Sequence, residues 1–292
     1  MTNDGPMVTM LGTGGPHMSA ERYGSAIAIE AAGALVLMDC GPATTYKMLR
    51  HGLSPVNLSA LLITHHHYDH TVDVANLLLA QWEACLGEFR PPSIIGPPPT
   101  ARFVDQLVGP QGAFRPDIDA RRHSPQSQFF YEYRGGRLPR RPELVTDVRE
   151  IQPRQEAELP SGWSVTTARA QHVQPFLESI AYRVEVAGRT IVYTGDTEYC
   201  EDVIGLAEGA DLLISMCGSV EGIGEKPAQM GTEGAGRTAA EAGVARVVLT
   251  HTGPRIAQPG QRERAVTEVA RYFDGEIYFA HEGLRVSLGD ER

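Results

Sequence analysis

The stretch Thr64-His65-His66-His67-Tyr68-Asp69-His70 places four imidazoles and one carboxylate within seven residues. It directly follows the apolar run 60–63. An apolar run of this kind is typical of a buried strand, and side chains in the loop that leaves such a strand can converge on one point. The spacing His-x-His-x-Asp-His, with no cysteine nearby, favours zinc, iron or manganese over a thiolate-rich structural site. The sequence therefore predicts a metal-binding loop at the end of a strand.

Three further residues with metal-binding side chains stand directly after predicted strands. They are His172, Asp196 and His251. Taken singly, a histidine after a strand is more often an ordinary hydrogen-bonded loop residue than a ligand. Taken with the first cluster, the three indicate one shared site.

Asp39 also ends a predicted strand, and two interpretations of it stay open. The carboxylate can orient a ligand histidine, as carboxylates beside metal sites do. Alternatively, it caps the amino terminus of a helix predicted at 43–51.

The remainder of the chain alternates short strands and helices. The predicted strands are 7–11, 25–31, 34–38, 60–64, 164–168, 179–186, 190–194, 211–216, 246–250, 276–279 and 284–288, with another between the prolines of 91–99. The predicted helices are 43–51, 70–85, 101–108, 203–208, 233–242 and 262–273. Two successive blocks of strands followed by strand–helix alternation predict two sheets packed face to face with helices outside.

The chain has 292 residues, of which 42% are apolar, and both values are compatible with one domain spanning 1–292. Helical and strand periodicity is lost in a segment at about 109–145, where arginines alternate with aromatic residues around a predicted hairpin turn at Gly135-Gly136. We interpret this segment as an insertion. It can grip a substrate, form a homodimer contact or be an ordinary surface feature.

The overall charge is acidic, with a formal net charge of −10. This balance gives no electrostatic attraction for polyanions and argues against a nucleic-acid substrate. Cys40, Cys85, Cys200 and Cys217 are widely spaced, and neither a charged-then-apolar leader nor an apolar run of membrane-spanning length is evident. We therefore expect a cytoplasmic protein without disulfides or membrane insertion.

The ordered motifs resemble those of the metallo-β-lactamase superfamily, in the style of its ribonuclease Z, phosphodiesterase and arylsulfatase-like branch. The resemblance covers nearly the whole chain except 109–145. It implies an α/β fold, a four-layer αββα sandwich, with two metal ions at one edge of the two sheets. The implied ligands are His65, His67 and His172 for one zinc ion, Asp69, His70 and His251 for the other, and Asp196 as the bridge. Zinc is the first choice of metal, and manganese or iron also suits these donors.

A pair of metal ions about 3.5–4 Å apart can share a hydroxide that forms at neutral pH. This chemistry serves the hydrolysis of a phosphodiester, sulfate, lactone or amide equally well. Asp69 and Asp196 are the candidate catalytic carboxylates, and Tyr68 is a candidate substrate contact.

The resemblance to ribonuclease Z itself is incomplete. Such enzymes resemble one another in carrying a further histidine where this chain has 229–233, and bacterial members carry an arm between the positions of His172 and Asp196, where only a short hairpin fits. The acidic charge is a third departure. We therefore expect a small organic substrate, namely an ester, lactone, phosphodiester, sulfate or halogenated aromatic. The alternatives are an RNA-processing nuclease and a non-catalytic metal-binding protein on the same fold.

Overall fold

The computed structural model describes residues 5–17, 19–224 and 227–289, and two seven-stranded sheets form its centre. The first sheet contains β1 (Met7–Thr13), β2 (Ser25–Ala31), β3 (Ala34–Met38), β4 (Leu58–Leu62), β5 (Ser93–Gly96), β6 (Asp147–Glu150) and β14 (Arg285–Ser287). The second contains β7 (Glu156–Glu158), β8 (Ser164–Arg169), β9 (Ile180–Val186), β10 (Arg189–Tyr193), β11 (Leu212–Met216), β12 (Arg246–Thr250) and β13 (Glu276–Phe279).

Helices cover the outer faces of both sheets. They are α1 (Thr44–Arg50), α2 (Tyr68–Thr71), α3 (Val74–Ala84), α4 (Thr100–Val108), α5 (Arg115–His123), α6 (Pro125–Tyr133), α7 (Glu201–Ala207), α8 (Thr232–Glu241) and α9 (Gln261–Val269). Among the helices in the described part of the chain, none has both the length and the apolar character needed to cross a membrane.

Both sheets are mixed, because each contains parallel and antiparallel neighbours. The first runs in the order β14-β1-β2-β3-β4-β5-β6, and the second runs β13-β12-β11-β10-β9-β8-β7. Strands β3 to β6 are parallel in one sheet, and β10 to β13 are parallel in the other. Parallel strands end at the same edge of their sheet. The loops after β3 and β4 therefore leave the first sheet at one edge, and the loops after β10 and β12 leave the second sheet at one edge.

The core has three apolar layers, and β4 shows how one strand serves two of them. Ala60 and Leu62 point between the sheets, whereas Leu61 and Ile63 pack against the outer helices. The second sheet repeats this arrangement: Val248 is in the central layer and its neighbours in β12 contact the helical layer. Strands buried on both faces explain the continuous apolar runs in the sequence. The predicted αββα sandwich is confirmed.

Two predicted elements differ from the structure near the histidine loop. The helix expected at 70–85 is two helices, α2 and α3, separated by Val72 and Asp73. The Asp73 carboxylate accepts hydrogen bonds from the amide and hydroxyl of Thr45, both at 2.6 Å. This contact connects the junction between α2 and α3 to helix α1.

The 109–145 segment contains helices where the sequence predicted irregular structure. Only Ile118 of α5 and Tyr131 of α6 are buried, which is too sparse to give a helical apolar pattern. Ser124 caps α6 by accepting a hydrogen bond from the Ser127 amide at 3.2 Å. The hairpin at Gly135-Gly136 is wrong, because Gly135 follows the end of α6 with a φ of +89°.

Glu83, in the last turn of α3, anchors this segment to the body of the protein. Its carboxylate forms ion pairs with Arg121, Arg134 and Arg141 at 3.1, 2.9 and 3.0 Å. Arg141 is 3% exposed, and its guanidinium lies 5.2 Å from the ring centroids of both Trp82 and Tyr131. A buried cation in this position depends on its carboxylate partner.

We predict that Glu83→Ala lowers the free energy of unfolding by about 2 kcal/mol, because Arg141 loses its charged hydrogen-bond partner. Urea denaturation measures the loss, and limited proteolysis should cut first within 115–142. Glu88→Ala is the matched control, since Glu88 is 80% exposed and pairs only with the exposed Arg90 among described residues; it should change stability by less than about 0.5 kcal/mol. Equal stability of the two variants would show that Glu83 is not the anchor.

Candidate metal centre

The ends of several strands bring the predicted site residues to one edge of the two sheets. The loop after β4 carries His65 and His67, and α2 carries Asp69 and His70. His172, Asp196 and His251 follow β8, β10 and β12. The structure thus brings together all seven side chains that the sequence singled out.

Four of these side chains form a first group in which one nitrogen or oxygen atom of each residue lies within 4.8 Å of those of the others: His65, His67, His172 and Asp196. His67 Nδ1 lies 3.0 Å from His65 Nε2 and 3.3 Å from His172 Nε2. Asp196 Oδ2 lies 3.7 Å from His172 Nε2. Three imidazoles and a carboxylate around one small volume are a suitable donor set for a divalent transition metal.

Asp69, His70 and His251 form a second group with the same mutual spacing. Asp69 Oδ2 lies 3.6 Å from His70 Nε2 and 3.3 Å from His251 Nε2. Asp196 turns its other oxygen, Oδ1, to this group, at 3.5 Å from His70 Nε2 and 3.2 Å from His251 Nε2. Asp196 therefore stands between the two groups with one oxygen toward each.

Two buried atoms indicate that a cation fits here. His70 Nε2 and Asp196 Oδ1 have no hydrogen-bond partner among the described residues, although both are shielded from solvent. A buried polar atom without a partner costs about 1–3 kcal/mol, and more when it is charged. A divalent cation between these atoms would satisfy both.

The protonation states of the site residues also suit a bound cation. Burial, followed by the neighbouring imidazoles, lowers the pKa of His65, and burial also lowers that of His67, which leaves both rings neutral at pH 7. Burial opposes the charged form of His70, but the carboxylates of Asp39 and Asp196 together raise its pKa to about 9. The pKa of Asp69 falls to about 2, because His251 and His70 outweigh its burial. A bound metal would replace the His70 proton, as metal binding to protonated ligands does.

Asp39 holds His70 in place. Its carboxylate accepts a hydrogen bond from His70 Nδ1 at 2.7 Å and from the amide of Thr64 at 2.8 Å. This contact leaves Nε2 as the nitrogen that faces Asp69 and Asp196. The alternative role for Asp39 as a helix cap does not occur, since α1 begins after Ala43 without a side-chain cap.

Several main-chain features support the site, and sequence reasoning missed the first of them. The Ala228 carbonyl lies 2.8 Å from His172 Nδ1, and a carbonyl carries no residue-type signal. A Cβ on Gly15 would lie 2.8 Å from His251 Cε1, so the glycine-rich turn after β1 allows the backbone to approach this imidazole. Gly195 has a φ of +57°, and a Cβ there would lie 2.9 Å from Thr64 Cβ.

Two residues of the histidine stretch lie outside the two groups. His66 points away from them, with Nε2 at 3.0 Å from Thr100 Oγ1. Tyr68 is 53% exposed at the rim, and its hydroxyl donates to the Pro16 carbonyl at 2.7 Å. Its role as a substrate contact stays a prediction.

A cavity of about 450 Å³ lies among loop residues, some of which are close in sequence to the ligands. It is lined by His17, Gly218, Gly224, Gly253, Pro254, Arg255 and Ile256. Gly253 comes two residues after His251, and His17 two residues after Gly15. The cavity wall therefore contains an imidazole and a guanidinium from loops that also carry site residues.

Several known proteins are similar to this chain in sequence and in fold. A model of the Metallo-beta-lactamase superfamily matches residues 20–84, and one of the Beta-lactamase superfamily domain matches residues 121–252. Ribonuclease Z of Mycobacterium sp. (strain KMS) is 34% identical over 284 residues, which cover 91% of this chain and 92% of that protein. The chain belongs to the metallo-beta-lactamase superfamily.

Solved structures of this superfamily share the fold over nearly the whole chain. The metallo-beta-lactamase fold protein YhfI from Bacillus subtilis superposes with a TM-score of 0.76 at 24% identity, covering 97% of this chain and 100% of its own. Human tRNase Z, short form, superposes with a TM-score of 0.68 at 22% identity and with the same coverage. This metallo-beta-lactamase superfamily member is a metal-dependent hydrolase.

One expectation about the substrate is wrong. The acidic net charge, the absent histidine and the absent arm led us to expect a small-molecule substrate and to argue against nucleic acid, whereas a relative that matches most of the chain is a ribonuclease by name. Net charge averages over the whole surface and does not report local charge. The 109–145 segment has seven arginines against four acidic residues, within a chain of net charge −10.

We predict that Asp39→Asn weakens zinc binding about 10- to 100-fold, because the amide no longer fixes the orientation and basicity of His70. Competition with a chromophoric chelator measures the affinity. Asp73→Asn is the control, because among the described residues Asp73 accepts hydrogen bonds from Thr45 and Asn76 and from no imidazole. If Asp39→Asn bound zinc as tightly as the control, Asp39 would not support the metal centre.

Proposed function

We propose that this protein is a dinuclear metal-dependent phosphodiesterase that cleaves RNA, similar to ribonuclease Z. The observation that supports it most is Asp196, which stands with one carboxylate oxygen toward each of two ligand groups. Such a site suits two cations acting on one phosphodiester. The identity to Ribonuclease Z over 91% of the chain supports RNA as the substrate.

We assign the first ion to His65, His67 and His172, the second to Asp69, His70 and His251, and the bridge to Asp196. Zinc suits imidazole and carboxylate donors best, and manganese or iron also binds such sets. When bound, a pair of divalent cations supplies ionised water at neutral pH and stabilises the charge that develops on phosphoryl oxygens.

The residues of the chain then have separate tasks. Asp69 is ionised at neutral pH and can orient a water through its carboxylate, while its Oδ2 faces His70 and His251. Asp39 fixes His70, and the Ala228 carbonyl fixes His172. Arg255, four residues after His251 in the wall of the 450 Å³ cavity, offers a guanidinium to an anionic group of the substrate.

The histidine that is absent from 229–233 affects the proton supply rather than the ligand set. Met230 lies in the 229–233 stretch where the resemblance implies a histidine, and it is buried. A different group must therefore protonate the leaving oxygen. The seven ligand positions are complete, which favours an enzyme over a non-catalytic metal-binding protein.

We predict that the purified protein cleaves a tRNA precursor and that chelation abolishes this activity. The chelator removes the cations that supply ionised water, and added zinc or manganese should restore cleavage. Gel analysis of end-labelled RNA measures the product. Intact RNA after incubation with the metal-loaded protein would overturn the proposal, and metal binding without turnover would favour a carrier.

We predict that Asp196→Asn lowers the rate of RNA cleavage at least about a thousandfold, since the bridge supplies several kcal/mol of charge stabilisation. Single-turnover kinetics measure the rate, and circular dichroism checks the fold. Asp202→Asn is the matched control, because Asp202 pairs with the exposed Arg154 away from the two groups. Full activity of the Asp196 variant would exclude the bridging role.

A further inference from the structure

Helix α6 presents three aromatic side chains to solvent. Phe129, Phe130 and Tyr133 are 61%, 60% and 80% exposed. The centroid of the Phe129 ring lies 5.7 Å from that of Phe130 and 6.2 Å from that of Tyr133, with the latter pair inclined by only 18°. We call these three residues the aromatic face. A contiguous exposed aromatic patch on a folded protein marks an interaction site.

The opposite side of α6 is fixed to the body of the protein. Tyr131 is fully buried, and its hydroxyl donates to the Leu86 carbonyl at 3.2 Å. Arg141 lies over the Tyr131 ring and pairs with Glu83. The aromatic face is therefore displayed on an anchored helix rather than on a free loop.

Two exposed arginines, Arg137 and Arg140, lie in the loop that follows α6. The loop after α6 folds back along the helix, since Gln128 Nε2 donates to the Pro139 carbonyl at 3.0 Å. This places Arg137 and Arg140 beside α6, and both are exposed. Within the described residues neither guanidinium forms an ion pair, whereas Arg121, Arg134 and Arg141 are bound to Glu83.

The charge of this region differs from that of the whole chain. Residues 109–145 have seven arginines and four acidic residues, and Glu83, which pairs with three of the arginines, reduces the surplus of positive charge from three to two, while the chain as a whole is at −10. A polyanion would be repelled by most of the surface and attracted here. Exposed aromatic rings beside free guanidinium groups are the combination that binds single-stranded nucleic acid, through base stacking and phosphate contacts.

We propose that the aromatic face, with Arg137 and Arg140, binds an unpaired segment of the RNA substrate away from the metal centre. The choice of RNA rests on the proposed function. Helix α3 has 11 residues and so spans about 16 Å between the histidine loop and the Glu83 anchor. The surface therefore contacts RNA several nucleotides from the scissile bond and contributes to affinity rather than to the chemical step.

Binding is tested in the Asp196→Asn protein, so that it is measured without cleavage. We compare Phe129→Ala/Tyr133→Ala and Arg137→Gln/Arg140→Gln by fluorescence anisotropy with a labelled tRNA precursor. Tyr46→Ala/Arg50→Gln is the matched control, because it removes an exposed tyrosine and its stacked arginine from α1. Thermal unfolding verifies that each variant is folded.

We expect the aromatic variant to raise the Kd for RNA about tenfold or more, since stacking contributes about 1–3 kcal/mol per base. The arginine variant should also reduce the slope of log K against log salt by about 1.4, or about 0.7 for each lost phosphate contact. The control should stay within about twofold. With an otherwise wild-type metal centre, hydrolysis of bis(p-nitrophenyl) phosphate should be unchanged in both variants, because this ester is too short to reach α6.

An unchanged Kd for RNA in both variants would overturn the proposal. So would a shift from dimer to monomer with unchanged RNA affinity, which would show that the aromatic face binds a second copy of the chain. Loss of RNA binding in the variants, combined with no RNA cleavage by the wild-type protein, would support this surface while overturning the proposed cleavage.

Discussion

The Asp39 carboxylate accepts hydrogen bonds from the Thr64 amide and from His70 Nδ1, and these two contacts join the ends of β3 and β4 to helix α2. The metal centre depends on this connection, because it sets which His70 nitrogen faces the other ligands. The same hydrogen bonds allow the Asp39 carboxylate to be buried, since each one offsets part of the free-energy cost of removing this group from water. The second sheet supplies Asp196 and His251 at the facing edge, so the site exists only when both sheets are packed together.

The sequence predicted most of the strands and the residues of the candidate site for a common reason. Strands buried on both faces give continuous apolar runs, and the polar residue after each run is conspicuous. The distances among His67, His172 and Asp196 could not be predicted, because they depend on how the two sheets pack. Support from the Ala228 carbonyl was also beyond prediction, since every residue has a carbonyl.

The α5–α6 segment was misjudged for a physical reason too. A helix that buries a single side chain, as α5 buries Ile118, has no amphipathic pattern to detect. The segment is held instead by the Ser124 cap of α6 and by the ion pairs of Arg121 and Arg141 with Glu83, which are tertiary contacts. The same segment corrects the inference from net charge: its arginines and exposed aromatic rings form a locally cationic surface on an acidic protein. Local charge, rather than the average, decides whether RNA can bind.

Zinc-edge anomalous diffraction from crystals of the protein purified without chelators addresses the metal centre most directly. We expect two anomalous peaks, one among His65, His67 and His172 and the other among Asp69, His70 and His251, with Asp196 contacting both. Crystals of zinc-supplemented protein that showed no peak at these residues would contradict the dinuclear centre. A single peak held by other side chains would contradict it equally.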